Sequence, residues 1–142
     1  MDHKPVHVML FQVSNPQEKL NTIIQIVQTC FNEREPLLIR LPNHTALEYV
    51  DTLLWRSPRD SFLPHVAIDE ACRELILLTL SENNFNCAHT ILNLCAQPIV
   101  NKDLLFTRIY EFEDLSNDRK NKLQQECYQS YKKRGYSIQI SS

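Results

Sequence analysis

Three residues that could bind a metal lie close together in this chain. Cys87, His89 and Cys95 offer two thiols and one imidazole within a short segment. Protein zinc sites usually combine closely spaced ligand pairs, and a second pair completes the tetrahedron. The spacing of these three residues matches no such pair, and no second pair lies nearby in sequence. We therefore predict that they are structural and that the protein binds no metal.

Acid–base chemistry has a candidate in His65, which follows Pro64 in a predicted loop. A general base needs a reacting group within hydrogen-bond reach, and the sequence fixes no nucleophile or carboxylate beside His65. We predict a hydrogen-bonded loop histidine. The acidic run Glu111, Glu113 and Asp114 indicates the charged side of an edge strand and not a catalytic pair. We therefore expect no catalytic residues and no enzyme activity.

Gly135 is the single glycine of the chain. Phosphate-binding loops use glycine where backbone amides approach the phosphate closely or where φ is positive. Neither a P-loop nor a dinucleotide-binding fingerprint can be written in this sequence. This excludes the commonest nucleotide-dependent activities of α/β proteins, and we expect no cofactor.

Trp55, the single tryptophan, lies off the apolar face of the helix predicted around it. The apolar residues of that helix form one stripe, namely Ala46, Leu47, Val50, Leu53 and Leu54. At about 100° per residue, Trp55 falls instead near Glu48 and Asp51. A large ring outside the core stripe, followed by Phe62 in a proline-bounded loop, is typical of a protein-binding hot spot. The periodicity leaves equally open that the helix end bends and Trp55 packs into the core.

The helix predicted from Ser116 to about Arg134 has one basic side. Its apolar side holds Leu123, Cys127 and Tyr131, Tyr128 lies at the boundary, and its other side holds Arg119, Lys122, Gln125, Gln129, Lys132 and Lys133. Residues 116–142 contain six Lys or Arg against two Asp or Glu, whereas the rest of the chain is acidic. Such a stripe is most often a solvated face. The alternative is a groove for an acidic peptide with an apolar tip, which would contact the lysines and Tyr128.

The composition is that of an ordinary globular chain. Hydrophobic residues make up 43% and charged residues 23% of its 142 residues, so we predict one domain over residues 1–142. The five cysteines are odd in number and lack paired spacing, which favours free thiols and a reducing compartment. No apolar run approaches the length of a membrane span, and the first residues lack the layout of a signal peptide. We expect a cytoplasmic protein.

Strand and helix patterns alternate along the chain. Helices begin at the predicted caps Asn15 and Asn43, and Gly135 is the predicted C-terminal cap of the closing helix. The strand candidates are residues 6–13, 37–41, 75–80, 90–95, 108–113 and 136–140, where 75–80 is also compatible with a helix and 136–140 with a docked tail. This order predicts an α/β fold of three layers, with a mostly parallel sheet between helices on both faces.

Two segments resemble the chi subunit of bacterial DNA polymerase III. Residues 49–58 read YVDTLLWRSP and residues 61–65 read SFLPH, similar to the family's helix end in Leu-Trp and its following Ser-Phe-Val/Leu-Pro-His loop. Residues 128–136, YQSYKKRGY, are similar to the family's ending Tyr-Lys-x-Tyr-Arg/Lys-x-x-Gly-Phe. The first motif is specific and the second moderately so, whereas residues 66–107 match weakly.

The resemblance implies a fold like a mononucleotide-binding sheet without its phosphate loop, and a non-catalytic bridging role. One surface would bind the psi subunit of the clamp loader. Trp55 and Phe62 match its aromatic positions, and Pro64 and His65 shape the loop that presents Phe62. The resemblance also implies that a DNA-repair helicase can use this surface. Specific nucleic-acid binding and membrane binding are not expected.

A second surface would bind the acidic C-terminal tail of single-stranded-DNA-binding protein (SSB). The residues assigned to it by the resemblance and its flanks are Lys122, Tyr128, Lys132, Lys133 and Gly135. Gln125 and Gln129 stand where relatives tend to have basic residues, so we expect weaker and strongly salt-sensitive tail binding. The competing hypotheses are a small α/β enzyme or nucleotide-binding protein without a glycine-rich loop, and direct nucleic-acid binding by the closing helix.

Overall fold

The computed structural model describes residues 5–56, 64–68, 70–99, 105–116 and 118–141. These residues form seven strands and three helices, which alternate up to β3 and again from β6 to β7, while β3 to β6 follow one another without a helix among the described residues. The elements are β1 (His7–Val13), α1 (Pro16–Asn32), β2 (Leu37–Arg40), α2 (His44–Arg56), β3 (Val66–Ala67), β4 (Ile76–Thr79), β5 (Thr90–Asn93), β6 (Arg108–Asp114), α3 (Asp118–Lys133) and β7 (Ser137–Ser141).

The strands form one sheet in the order β3-β4-β2-β5-β6-β1-β7. Every pairing within the described ranges is parallel, which confirms the predicted α/β sheet. Residues 76–79 form a strand and not a helix, and residues 137–141 pair with β1 as a true strand. The two-residue strand β3 is not predicted from the sequence, because a segment this short has no recognisable periodicity.

The helices lie on both faces of the sheet. Side chains of α1 and α2, such as Val27 and Leu54, pack with Ile39 and Phe112 on one face. Cys127 and Tyr131 of α3 belong to a second cluster on the other face. Successive side chains of a strand point to opposite faces, so β2 contributes to both clusters, and the result is the predicted three-layer sandwich.

Side chains and one glycine define the helix ends as predicted. Asn15 Oδ1 accepts a hydrogen bond from the Glu18 backbone N–H at 2.9 Å, and Asn43 Oδ1 accepts one from Ala46 N–H at 2.8 Å. Gly135 has φ +78°, a left-handed conformation that glycine adopts without strain, and its N–H donates to the Lys132 carbonyl. The chain can therefore turn from α3 directly into β7.

The prediction that Glu111, Glu113 and Asp114 form an exposed edge-strand run is wrong. Their strand, β6, lies between β5 and β1 in the interior of the sheet. Glu111 is 1% exposed and Glu113 is 8% exposed. Because α3 covers this face, the alternation of charged and apolar residues in β6 marks a polar contact beneath a helix and not a wet surface.

Within the described ranges, no helix has the length and apolar character needed to span a membrane.

Candidate functional site

Trp55 lies in the last turn of α2 and projects into solvent. Val50 and Leu54 of the same helix are buried against the sheet, whereas the Trp55 side chain remains 52% exposed. The helix is regular through Arg56, so Trp55 keeps the angular position that the sequence periodicity predicts. The ring is therefore not part of either core cluster.

His65 supports the Trp55 ring from the following segment. Its Nε2 lies 2.7 Å from Asp51 Oδ1, and the centroids of the His65 and Trp55 rings are 4.8 Å apart with planes tilted by 50°. The His65 side chain is fully covered, while the Asp51 side chain is 38% exposed. The sequence prediction of a hydrogen-bonded loop histidine is confirmed, and the structure supplies the carboxylate that sequence spacing could not identify.

Trp55, Pro64 and His65 together form what we call the aromatic surface. Pro64 is half-buried beside His65. Phe62, which the sequence analysis also assigned to this surface, lies outside the described residues. The described part of the surface is one exposed indole whose face contacts an imidazole held by Asp51.

Four predicted tail-binding residues lie along the outward side of α3, and we call Lys122, Tyr128, Lys132 and Lys133 the basic face. The three lysines are exposed and Tyr128 is half-buried. Lys132 Nζ lies 5.9 Å from the Tyr128 ring centroid, within reach of a cation–π contact. Gly135 follows the helix as an exposed turn residue. Four of the five residues chosen from sequence thus lie on one helix, and among them Lys132 and Tyr128 are close enough to contact each other.

Gln125 has a structural role beside the basic face. Its Nε2 donates to Glu113 Oε1 at 3.2 Å, and Gln12 Nε2 of β1 donates to the other carboxylate oxygen at 3.1 Å. A basic residue at position 125 could pair with the same carboxylate, whereas the amide offers no net charge to a ligand. Gln129 is exposed and likewise uncharged.

A buried carboxylate beneath α3 was missed by the sequence analysis. Glu111 Oε2 accepts hydrogen bonds from the Tyr131 hydroxyl at 2.5 Å and from Asn93 Nδ2 at 2.8 Å. Its Oε1 accepts one from Gln124 Nε2 at 3.0 Å. Burial raises the pKa of Glu111 to about 7, although these three hydrogen bonds act to lower it.

The Tyr131 hydroxyl links this carboxylate to the neighbouring loop. It accepts a hydrogen bond from the Ile99 backbone N–H at 2.7 Å while donating to Glu111. Burial and the Glu111 carboxylate both raise the pKa of Tyr131, so the phenol stays protonated. The only sequence signal for the buried Glu111 carboxylate is the unusual density of acidic residues in the otherwise apolar strand β6.

The described cysteines and histidines do not assemble into a metal site. Cys87 is exposed, and His89 Nδ1 lies 2.9 Å from the Leu105 carbonyl oxygen. Cys95 is half-buried, and its pKa is raised by burial. Among the residues that the structure describes, no three His, Cys, Asp or Glu side chains are grouped so that they could hold a metal ion.

The arrangement therefore consists of two exposed surfaces on different helices, one aromatic and one basic. A comparison with curated proteins finds no match. A comparison with protein families finds one that covers nearly the whole chain. The family described as DNA polymerase III chi subunit, HolC, matches residues 7–139, and the chain therefore belongs to this family of DNA polymerase III accessory subunits.

Proposed function

We propose that this subunit is a non-catalytic adaptor that joins the clamp loader to SSB-coated single-stranded DNA. In this proposal the aromatic surface binds a psi-type subunit, and the basic face binds the acidic C-terminal tail of SSB. The two surfaces lie on helices that cover opposite faces of the sheet, so both partners can bind at once. Such linkage raises the effective concentration of the replication machinery near its template.

The observation that carries the proposal is the exposed Trp55 ring. Tryptophan is enriched among residues that dominate binding energy, because it buries a large apolar area when a partner covers it. His65 contacts the ring and is itself held by Asp51, so Trp55 is ordered before a partner arrives. Less side-chain entropy is then lost on binding. A DNA-repair helicase that used the same ring would compete with the psi-type subunit.

Tail binding by the basic face rests on charge. Lys122, Lys132 and Lys133 can pair with carboxylates, and Tyr128 offers a half-buried ring to an apolar tip. Each exposed ion pair contributes about 0.2–1 kcal/mol. Because Gln125 and Gln129 add no charge, we propose a weak site whose affinity depends on several lysines together.

The psi-binding proposal is tested by Trp55→Ala, with Tyr49→Ala as the matched control. Tyr49 is also on α2 and is 59% exposed, but it is not part of the aromatic surface. Loss of a tryptophan hot spot costs about 2 kcal/mol or more, so W55A should weaken capture of the psi-type subunit by roughly thirtyfold. Binding is measured by calorimetry with the purified partner.

Y49A should bind the psi-type subunit like the unmodified protein. Both variants should keep a cooperative melting transition, because neither side chain belongs to a core cluster. Unchanged affinity of W55A would show that the aromatic surface is not the psi site. Equal losses in W55A and Y49A would place the interface along the whole outer side of α2.

A further inference from the structure

The last strand, β7, ends the sheet, and among the residues that the structure describes it pairs only with β1. An edge strand presents unpaired backbone N–H and C=O groups, and proteins usually protect it with lysine, proline, a bulge or very short length. The opposite edge strand, β3, is two residues long. β7 has five residues, and none of them is charged or proline. It is therefore the longer and less protected edge of the described sheet.

The register with β1 determines which backbone groups of β7 face outward. The Ser137 N–H donates to the Val6 carbonyl at 3.0 Å, so the backbone groups of Ser137 point towards β1. Successive residues of a strand direct their N–H and C=O groups to opposite sides. Ile138 and Ile140 therefore direct theirs to the outer edge, whereas those of Gln139 point towards β1.

The sequence of β7 is a palindrome, since residues 137–141 read SIQIS. If a second copy of the strand pairs antiparallel about a two-fold axis at Gln139, every residue faces one of its own type. Ile138 then lies opposite Ile140 of the second copy, and both have outward backbone groups. They form a hydrogen-bonded pair of an antiparallel ladder, which exchanges two N–H···O bonds. The two-fold axis repeats this pair, so the contact has four backbone hydrogen bonds.

The side chains of β7 suit the same pairing. Ile138 packs against the cluster beneath α3, so Ile140, two residues later, points to the same face of the sheet. Ile140 is 53% exposed. In the pair it would be covered by Ile138 of the second copy, and such cross-strand contacts stabilise antiparallel sheets. Gln139 is exposed on the other face, where the two amides meet at the axis and can bond to each other.

The charges beside the strand are compatible with a second copy. Residues 137–141 are uncharged, and the cations that precede them are Lys132, Lys133 and Arg134. In an antiparallel pair, these cations lie beyond opposite ends of a contact about 17 Å long, which exceeds the screening length of about 8 Å at physiological salt. Like charges are therefore kept apart at the contact.

The area of the contact predicts a weak complex. Two five-residue strands and their side chains bury less than about 1,200 Å², the size below which specific interfaces are typically weak and transient. We therefore expect a dissociation constant between about 10 µM and 1 mM.

We propose that β7 pairs antiparallel with β7 of a second copy about Gln139, which gives a weak homodimer with one continuous sheet. Helix α2, which carries Trp55, packs over β4 near the opposite edge of the sheet, so the aromatic surface stays accessible in the dimer. The contact involves neither proposed partner and does not depend on the adaptor function. The dimer would carry two copies of each proposed binding surface.

The first test is sedimentation equilibrium of the full chain from about 10 µM to 1 mM. The average mass should rise from that of one chain towards that of two. Ile140→Lys should weaken association about tenfold or more, because it places two cations beside the axis and removes the apolar contact. Leu115→Lys is the matched control, at a leucine that is 50% exposed and lies outside β7, and it should associate like the unmodified chain.

Hydrogen exchange of individual amides identifies the edge that pairs. The amides of Ile138 and Ile140 should exchange rapidly at about 10 µM and become protected at about 1 mM, because their N–H groups are bonded only in the dimer. The amide of Gln139 points towards β1 and should be protected at both concentrations, which makes it an internal control.

A disulfide trap tests the register. The background is Cys87→Ser, because Cys87 is exposed, and oxidised glutathione is the oxidant. Gln139→Cys should give a disulfide-linked dimer, since residues facing each other at this non-hydrogen-bonded position have Cα atoms about 4.5 Å apart, within the range of a disulfide. Ser137→Cys should not, because its two copies lie about 13 Å apart along the strands.

Several results would overturn the inference. A single-chain mass up to about 1 mM would exclude the dimer. Equal association of I140K and L115K would place the contact away from β7, and equal trapping of Q139C and S137C would exclude the register centred on Gln139. Protection of Ile138 and Ile140 only after addition of the psi-type subunit would assign this edge to that partner instead. Loss of psi binding in W55A leaves all of these measurements unchanged, so the two proposals fail separately.

Discussion

Helices α2 and α3 each carry one of the two proposed binding surfaces, but the sheet holds them by different means. Helix α2 rests on apolar contacts, with Val50 and Leu54 buried in a cluster of aliphatic and aromatic side chains. Helix α3 also buries Cys127 and Tyr131, but it adds hydrogen bonds to two carboxylates of β6. The two helices also differ in what they expose: α2 exposes the aromatic rings of Tyr49 and Trp55, and α3 exposes dispersed positive charge.

This difference shows that the two surfaces should respond to different conditions. An aromatic ring binds mainly by burying apolar area, so the attraction between Trp55 and a partner should depend little on salt. A charged face on a support that contains a titrating carboxylate should be sensitive to salt and to pH. We expect the psi-type partner to be held over a wider range of salt concentrations than the SSB tail.

The largest expected effect comes from removing the apolar support of α2. Leu54 is 0% exposed within the core cluster, so Leu54→Ala should lower the free energy of unfolding by about 2–5 kcal/mol. Urea denaturation measures the change. Leu53→Ala, at a half-buried position of the same helix, is the control and should cost less. Equal losses would mean that α2 is not anchored mainly through Leu54.

The carboxylate beneath α3 should make stability depend on pH. The pKa of Glu111 is about 7 in the folded chain and 4.5 without the fold, so the folded state retains a proton that the unfolded state loses. The free energy of unfolding should therefore decrease as pH rises from about 4.5 to about 7 and level off above, by on the order of 3 kcal/mol from this group.

Glu111→Gln should remove that contribution, since the amide does not titrate. The measurement is the difference between E111Q and the unmodified chain in urea denaturation at pH 5 and pH 8. The variant should gain relative stability at pH 8. A difference that is the same at both pH values would show that Glu111 does not change its protonation on folding.

Tyr131→Phe should lower the free energy of unfolding by less, because it removes only the hydrogen bonds that the Tyr131 hydroxyl of α3 makes. The change leaves the buried Ile99 N–H without its acceptor and takes one donor from Glu111. An unsatisfied buried donor costs about 1–3 kcal/mol, which thermal unfolding can resolve. Tyr136→Phe is the control, because the half-buried Tyr136 ring stacks on Tyr131 at 5.9 Å between centroids and can keep that contact. If Y131F were as stable as Y136F, the hydrogen bonds of the Tyr131 hydroxyl would not contribute to holding α3 on the sheet.

Salt should change the binding free energy least for each charged residue, but it should distinguish the two surfaces most clearly. Raising salt from about 0.1 M to 1 M shortens the screening length from about 10 Å to about 3 Å and should weaken SSB-tail binding by the basic face severalfold. Binding of the psi-type subunit through Trp55 should change much less. A labelled tail peptide in fluorescence anisotropy measures the first, and calorimetry the second. Salt-independent tail binding would contradict the assignment of Lys122, Lys132 and Lys133.

Local patterns predict most of the fold. Asn15, Asn43 and Gly135 mark helix ends correctly, because capping depends on neighbouring backbone groups that the sequence itself supplies. These caps are decided within a few residues of the chain. Helix periodicity also places Trp55 off the apolar stripe, but it leaves equally open that a bend at the helix end buries the ring, and the structure shows the ring exposed.

Features that depend on distant segments could not be predicted. Glu111 and Glu113 look exposed in sequence because alternation cannot show which element covers the second face of a strand. Asp51 and His65 meet only after the chain has turned back on α2, and a cavity of about 1130 Å³ at the carboxyl edge of the sheet needs the starts of three helices to converge. Chain topology, which single-segment patterns do not encode, decides all three.

The pairing of β1 has a consequence for synthesis on the ribosome. β1 hydrogen-bonds to β6 on one side and to β7 on the other, and both follow it by about a hundred residues or more. β1 is translated before both of these strands and therefore has neither neighbour until β6 has emerged. Contacts of such long sequence separation slow folding and leave an unpaired strand open to aggregation in the meantime. A nascent chain arrested before residue 108 should be the form that most needs a chaperone.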